Sequence, residues 1–230
     1  MGIVKTERRS YADPCGVARA LDVLGERWAL LIVRELSLGP RRFGQLREAL
    51  PGVSPNVLSQ RLRELDQDGV VHRYTLEPPA SVVVYELTDR GHALGPILLE
   101  LGRWGSGTQR TEGRELGAVS MMIALHSMFD PATGDEVTYG LQLGDDQFTV
   151  AIADHGIDIS RGRAATADAR LATDITTLRM VVFLGTGIRA AEEAGALDIS
   201  GDRRAAARFP KYFRKPSAGD SSAGAAGDPS

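Results

Sequence analysis

The feature that most constrains the fold is the order of segments between residues 43 and 87. A short helix ends at a Pro-Gly turn, and Ser-Pro then opens a second helix that a glycine stops. Two segments rich in β-branched and aromatic residues follow and predict a hairpin. The segments are residues 43–50, 51–52, 54–68, 70–76 and 82–87. This order predicts a winged helix-turn-helix.

The second helix of this unit, residues 54–68, is amphipathic. At 100° per residue, Leu58, Leu62 and Leu65 fall on one side and predict a buried stripe. The opposite side carries amides, a hydroxyl and a guanidinium, and no carboxylate appears before Glu64. Asn and Gln pair with adenine and Arg with guanine or phosphate, so we expect this helix to enter a major groove of double-stranded DNA. The predicted contact residues in this segment are Ser54, Pro55, Asn56, Ser59, Gln60, Arg61 and Arg63.

Five arginines on and around the reading helix are predicted to contact DNA phosphates. They are Arg41, Arg42, Arg47, Arg61 and Arg73. The hairpin tip, residues 77–81, contains no Lys or Arg, so we expect few wing contacts, with Arg73 as the main side chain. Winged helices also serve as protein-interaction modules, which is the alternative for this unit.

Four spaced motifs run through the first half of the chain. They are CGVARALDVLGERW from Cys15, RFGQL from Arg42, LSQRLREL from Leu58 and VVVYELT from Val82. Together they resemble the HxlR-type winged-helix regulators over residues 13–105. The resemblance implies a homodimeric transcription factor whose terminal helices form the dimer interface and whose two reading helices face a pseudo-palindromic operator. The chain departs from the family in length, because it continues for more than a hundred residues.

Cys15 is the single cysteine, which excludes an internal disulfide and a multi-cysteine zinc site. Asp13 and Pro14 predict a helix start, so Cys15 is expected in the first turn, where the helix dipole lowers the pKa of a thiol. The resemblance implies that a cysteine here senses electrophiles or oxidants. The alternative is a small apolar filler at a dimer interface, and the nearby Asp13 carboxylate opposes a thiolate.

The rest of the chain differs in composition from the first 105 residues, which are close to charge balance, whereas residues 106–230 are acidic. Residues 106–117 are polar and glycine-rich and predict a linker. Residues 118–213 are predicted to form a second domain. An N-terminal arm, residues 1–12, precedes the first domain, and a tail follows the second. The tail, residues 214–230, is expected to be disordered because its small side chains cannot offset the entropy of ordering.

The second domain alternates an apolar, Met-rich helix, several strand-like segments and further helices, which predicts an α+β class. The motifs ARLATDITTL from Ala169 and AEEAGALDISGD from Ala191 resemble the sterol carrier protein type 2 family. That resemblance implies helices on an antiparallel-rich sheet around an apolar tunnel for fatty-acyl or sterol-like ligands. The alternative is that the apolar side chains are plain core. The candidate lining residues are Met121, Met122, Leu125, Phe129, Phe148, Leu178, Val182 and Phe183.

Other chemistry finds little support in the sequence. The four histidines lack ligand spacing, and we see no nucleophile motif and no phosphate-binding glycine loop, so we expect no metal, no cofactor and no enzyme activity. No run of 18 apolar residues occurs, which predicts a soluble, cytoplasmic protein without membrane contact.

These patterns predict an α+β DNA-binding regulator, and the resemblance to HxlR-type regulators implies that it is a homodimer. Its DNA binding would respond to a fatty-acyl, sterol-like or aromatic molecule in the second domain, to modification of Cys15, or to both. The alternative is a ligand-independent repressor whose second domain is a structural or dimerisation module.

Overall fold

A computed structural model describes residues 10–77, 79, 81–106, 116–130, 135–154 and 156–214. The chain divides into two compact units, Met1–Gly95 and Pro96–Ser230. The sequence placed the end of the first domain at residue 105, ten residues after this division. The predicted arm, linker and tail lie mostly outside the described residues. None of the described helices is long and apolar enough to cross a membrane.

The N-terminal unit has the predicted order of helices and hairpin. The first helix starts later than Asp13 and Pro14 predict, at Gly16 with Cys15 as its N-cap. The second helix begins at Ala29, because Trp28 takes a left-handed φ of 83°. The described elements are α1 (Gly16–Leu24), α2 (Ala29–Leu36), α3 (Phe43–Ala49), α4 (Pro55–Gln67), β1 (Val71–Thr75), β2 (Val83–Leu87) and α5 (Asp89–His92).

The core of this unit lies between α2, α4 and the hairpin. Ile32 of α2 and the α4 leucines are almost fully buried, as the amphipathic pattern predicts. Strands β1 and β2 pair antiparallel, with Arg73 opposite Tyr85. The backbone of Arg41 also exchanges hydrogen bonds of 2.9 and 2.8 Å with the backbone of Tyr85. The segment before α3 is therefore tied to the wing, which fixes α3 and α4 relative to the hairpin.

The C-terminal unit packs helices against one face of a mixed sheet. The order of the described strands is β5-β4-β3-β6-β7, antiparallel except for the parallel pair β3 and β6. The elements are α6 (Gly95–Ser106), α7 (Ala118–Met128), β3 (Val137–Leu143), β4 (Asp146–Ala153), β5 (Gly156–Arg161), β6 (Ala169–Thr173), α8 (Ile175–Phe183), α9 (Ile188–Glu193), β7 (Leu197–Gly201), α10 (Arg203–Arg208) and a 3-10 turn (Phe209–Tyr212).

Helix α6 belongs to this second unit because it packs on α7. The Arg103 Nε donates to the Ser127 carbonyl at 3.2 Å, and the Ser127 hydroxyl donates to the Leu99 carbonyl at 3.4 Å. A Cβ at Gly102 would lie 3.3 Å from the Ser127 Oγ, so the glycine allows the two helices to approach closely. The segment after residue 88 thus forms two helices, α5 and α6.

The core of the C-terminal unit is centred on Tyr139 of β3. Its ring packs edge-on against Phe209 at 4.8 Å and Tyr212 at 6.2 Å, and its hydroxyl donates to the Ala205 carbonyl at 2.8 Å. Burial raises the pKa of the Tyr139 phenol far above its ordinary value. Asp174 accepts a 2.7 Å bond from the Thr177 backbone N–H at the start of α8, which lowers the pKa of that carboxyl.

Candidate DNA interface

Helix α4 is built to expose one face and bury the other. The Ser54 hydroxyl caps its start by accepting from the Val57 backbone N–H at 3.3 Å, and Pro55 occupies the first turn. Leu58, Leu62 and Leu65 are buried, as predicted from their spacing. The helix is therefore held by its apolar face, and the opposite face is free to meet a partner.

The exposed face carries the polar residues that the sequence singled out. Asn56, Gln60 and Arg63 are exposed, and Ser59 is half-buried on the flank. The Gln60 amide donates to the Glu64 carboxylate at 3.0 Å, and the Arg63 Nε donates to the Ser59 carbonyl at 3.3 Å. Both contacts are local and solvent-exposed, so base edges or phosphates can replace them at small cost.

Arg61 and Arg41 differ from the prediction because carboxylates already engage them. The Arg61 guanidinium pairs with Glu26 at 3.2 Å and with Glu64, and its side chain is only 15% exposed. Arg41 lies 3.7 Å from the buried carboxylate of Glu35 and is 11% exposed. These two arginines bind parts of the N-terminal unit to one another, and we remove them from the predicted phosphate contacts.

Three other arginines remain available for phosphates. Arg42 precedes α3, and its backbone N–H donates to the Gln45 side chain at 2.9 Å. Arg47 lies in the last turn of α3, and Arg73 lies on β1. All three are exposed, and none pairs with a carboxylate of the described residues.

The wing strand β1 also exposes His72, which was not among the predicted contact residues. The ring of His72 stacks on that of Tyr74, with 5.6 Å between centroids and 11° between planes. The signal was available, since two aromatic residues separated by one position share a face of a strand. Part of the predicted hairpin tip lies outside the described residues.

Cys15 lies fully exposed at the N-cap of α1 and not inside the first turn. Its own backbone N–H donates to the Asp13 carboxylate at 2.8 Å. The nearby backbone N–H groups of Val17 and Ala18 lower the pKa of the Cys15 thiol, because they favour its charged form. The displacement by one residue leaves the expected effect in place, because the unpaired N–H groups of the first turn still face the sulfur.

The residues predicted to line an apolar tunnel pack as core side chains. Those on α7, β4 and α8 are buried, and Phe129 is half-buried against Phe213. The space beside Leu178, between α8 and strands β6 and β7, is too small for a water molecule. The buried members are Met121, Met122, Leu125, Phe148, Leu178, Val182 and Phe183.

The HxlR-like helix-turn-helix family model matches residues 23–112 of the chain. The regulator YvaP of Bacillus subtilis is 44% identical over 88 residues, which cover 38% of this chain and 82% of YvaP. YodB of the same organism is 39% identical over 85 residues, covering 37% and 76% of the two chains. The structure of quinone-bound YodB aligns with a TM-score of 0.36 and 36% identity, covering 41% of this chain and 99% of YodB. YvaP and YodB are both described as HTH-type transcriptional regulators.

Proposed function

Since the chain belongs to the HxlR-like helix-turn-helix transcriptional regulators, we propose that it binds a specific double-stranded DNA sequence through α4. The observation that carries this proposal is the exposed face of α4, where Asn56, Gln60 and Arg63 point outward from a helix held by three buried leucines. A helix of this width fits a major groove, where amides read adenine and a guanidinium reads guanine or holds a phosphate.

Phosphate contacts would set the position of α4 on the DNA. Arg42, Arg47 and Arg73 are the exposed cations on elements next to α4, and their contacts carry no sequence information. Each phosphate neutralised releases counterions, so binding should weaken steeply as salt rises. The formal charge of the whole chain is −3, which keeps its non-specific affinity for DNA low and leaves selection to the base contacts.

We propose that a second copy of the chain covers two apolar faces, one in each unit. Helix α1 buries none of its residues, and its Val17 and Leu21 are exposed. Helix α6 exposes Ile97, Leu101 and Trp104, the last of these at 75%. Exposed apolar residues at helical spacing indicate contact with a partner. A symmetric dimer presents two copies of α4 to a pseudo-palindromic site.

Selection from a pool of random duplexes with the full chain tests DNA binding. We expect enrichment of a sequence with two inverted half-sites separated by about one helical turn, roughly 10 base pairs. Enrichment should disappear when the same selection uses a chain with Asn56→Ala and Gln60→Ala, because both base-reading amides are then absent. A pool that shows no enriched sequence at low salt would contradict the proposal.

We propose that the thiol of Cys15 responds to electrophiles, and its alkylation rate tests this. The lowered pKa means that the thiolate forms as pH rises through a value below that of free cysteine, about 8.5. The rate of reaction with iodoacetamide should therefore reach half its maximum at lower pH in the folded protein than in the denatured chain. The denatured chain is the matched control, because it no longer holds the N–H groups of Val17 and Ala18 close to the sulfur.

The effect of an electrophile on DNA binding shows whether Cys15 is a sensor or only an exposed thiol. A quinone is the chosen electrophile, since the relative YodB has been solved with a quinone bound. We expect quinone treatment to release the wild-type protein from its selected DNA, whereas Cys15→Ser protein stays bound. Equal release of both proteins, or pH profiles that coincide in the folded and denatured states, would refute a sensor role for Cys15.

For residues 118–213 we propose a sterol carrier-like module whose apolar ligand modulates DNA binding. In its support, helices pack on one face of the sheet, and the Met-rich helix α7 contributes Met121, Met122 and Leu125 to the interior. Methionine side chains adapt to apolar guests. The same packing also serves the alternative, a ligand-independent repressor in which this unit is a structural or dimerisation module.

A further inference from the structure

A cavity of about 450 Å³ opens on the polar face of the C-terminal sheet. Its floor consists of outward-facing residues from neighbouring strands, which the strand register brings side by side. Two adjacent cross-strand rows form this floor, Gly140-Arg170-Ser200 and Gln142-Ala172-Asp198. The residues that we assigned to an apolar tunnel belong to the opposite, helix-covered side of the unit, and these include Phe148, although its strand also borders the cavity.

The loop between β5 and β6 forms a wall of this cavity and is anchored at both ends. The Gly162 backbone N–H donates to the Gln147 carbonyl at 2.8 Å. At the other end, Asp168 and Thr138 exchange two bonds of 2.8 Å. This anchoring brings Arg163 to the cavity. The Arg163 side chain is exposed and makes no ion pair with any residue that the structure describes.

Arg170 is held in place across the floor. Its Nη2 donates to the Ala164 carbonyl of the loop at 3.0 Å. A Cβ at Gly140 would lie 2.9 Å from the Arg170 Nη1, so the glycine in the middle of β3 leaves the space that the guanidinium occupies. No carboxylate of the described chain forms an ion pair with Arg170. Two guanidinium groups therefore line one cavity, and no carboxylate in the described part of the chain is paired with either of them.

We propose that this cavity binds a small organic anion, a carboxylate or a phosphate that also carries a hydrogen-bond donor. Guanidinium groups bind both kinds of oxyanion with charge-assisted hydrogen bonds. Asp198 and Gln142 on the adjacent row supply acceptors for a hydroxyl or ammonium group of the same molecule. The volume lies within the range of ligand pockets. This ligand differs in class from the apolar molecule proposed above, and the inference does not depend on DNA binding.

Titration calorimetry of the full chain, with citrate and with inorganic phosphate in separate arms at constant ionic strength, tests the proposal. We expect saturable binding in at least one arm, and the arm that binds identifies the oxyanion class. Arg163→Ala should weaken that binding at least about tenfold, as expected for loss of a hydrogen bond to a charged group. The variant should fold normally, because Arg163 is exposed and on a loop.

Two matched arginine variants exclude other anion sites. Arg204→Ala removes an exposed arginine of the same unit that does not line the cavity, and it should leave binding unchanged. Arg63→Ala removes a cation of the DNA face and should also leave anion binding unchanged.

Asp198→Asn should tighten phosphate binding, because the substitution removes a negative charge from the cavity floor. Absence of saturable binding in both arms, an unchanged affinity in Arg163→Ala, or loss of binding in Arg63→Ala would overturn the proposal.

Discussion

Arg63→Ala is expected to weaken binding to the selected DNA by about 10- to 100-fold and to leave the free energy of unfolding within about 0.5 kcal/mol of wild type. The side chain is exposed on α4, and its contact inside the protein is one 3.3 Å bond to the Ser59 carbonyl. Little stability therefore depends on it. Competition binding at several salt concentrations shows whether the loss falls on one base pair or on all sequences equally.

Arg61→Ala is the matched control on the same helix, two positions away. Here the expected result is the reverse, a loss of stability of about 1–2 kcal/mol with DNA affinity nearly unchanged once the protein is folded. The substitution leaves Glu64 and Glu26 without their common partner, and the partial exposure of Glu26 limits the loss. If Arg61→Ala weakens DNA binding as much as Arg63→Ala without lowering stability, the assignment of the outward face of α4 is wrong.

Phe148→Ala is expected to destabilise the C-terminal unit by about 3–5 kcal/mol. Phe148 is fully buried on β4, and the Arg161 guanidinium lies 4.9 Å from the centre of its ring. The substitution opens a cavity in a packed region and removes this cation–π contact. Amide hydrogen exchange of the β3 and β4 backbone measures the loss within this unit, without requiring both units to unfold in one step.

Phe148→Ala also distinguishes two interpretations of the apolar side chains, a packed core and a ligand tunnel. Met180→Ala is the control, because Met180 lies on α8 but is 38% exposed, and we expect its exchange rates to stay near those of wild type. Native mass spectrometry of both proteins then reports any apolar molecule carried from the cell. A Phe148→Ala protein that keeps its stability but loses a bound molecule would favour the tunnel over the core.

Local patterns in the sequence account for α4 nearly completely. The spacing of Leu58, Leu62 and Leu65 identifies the buried stripe, and Ser54-Pro55 marks the start, because helix period and capping depend on residues a few positions apart. The same projection at 100° per residue places Arg61 on the flank of α4 beside the leucines. This position indicates that Arg61 does not share the outward face with Gln60 and Arg63. The pairing of Arg61 with Glu26 was beyond this reasoning, since Glu26 lies 35 positions away and meets Arg61 only in the folded unit.

In the C-terminal unit, too, local patterns predict some features, and other features depend on contacts between distant parts of the chain. Alternation along the strands indicates that Phe148, Val150 and Ile152 share a buried face, and the structure confirms that all three are buried. Alternation also separates Arg170 from that face. It does not indicate that β6 lies parallel to β3, which places Arg170 across Gly140. The ligand-lining residues that the resemblance implies are all apolar, so that prediction does not include the polar face of the sheet.

The sequence alone therefore determined the order of helices and hairpin in the N-terminal unit and the exposed face of α4, both of which depend on periodicity and on neighbours within about one helical turn. Tertiary structure decided which charges remain available. It pairs Arg41 with the buried Glu35 and Arg61 with Glu26, leaves Arg63 at the surface, and gathers Arg163 and Arg170 at one cavity. The physical reason is that an ion pair or a cavity depends on distances through space, which the packing and strand order of the whole unit establish.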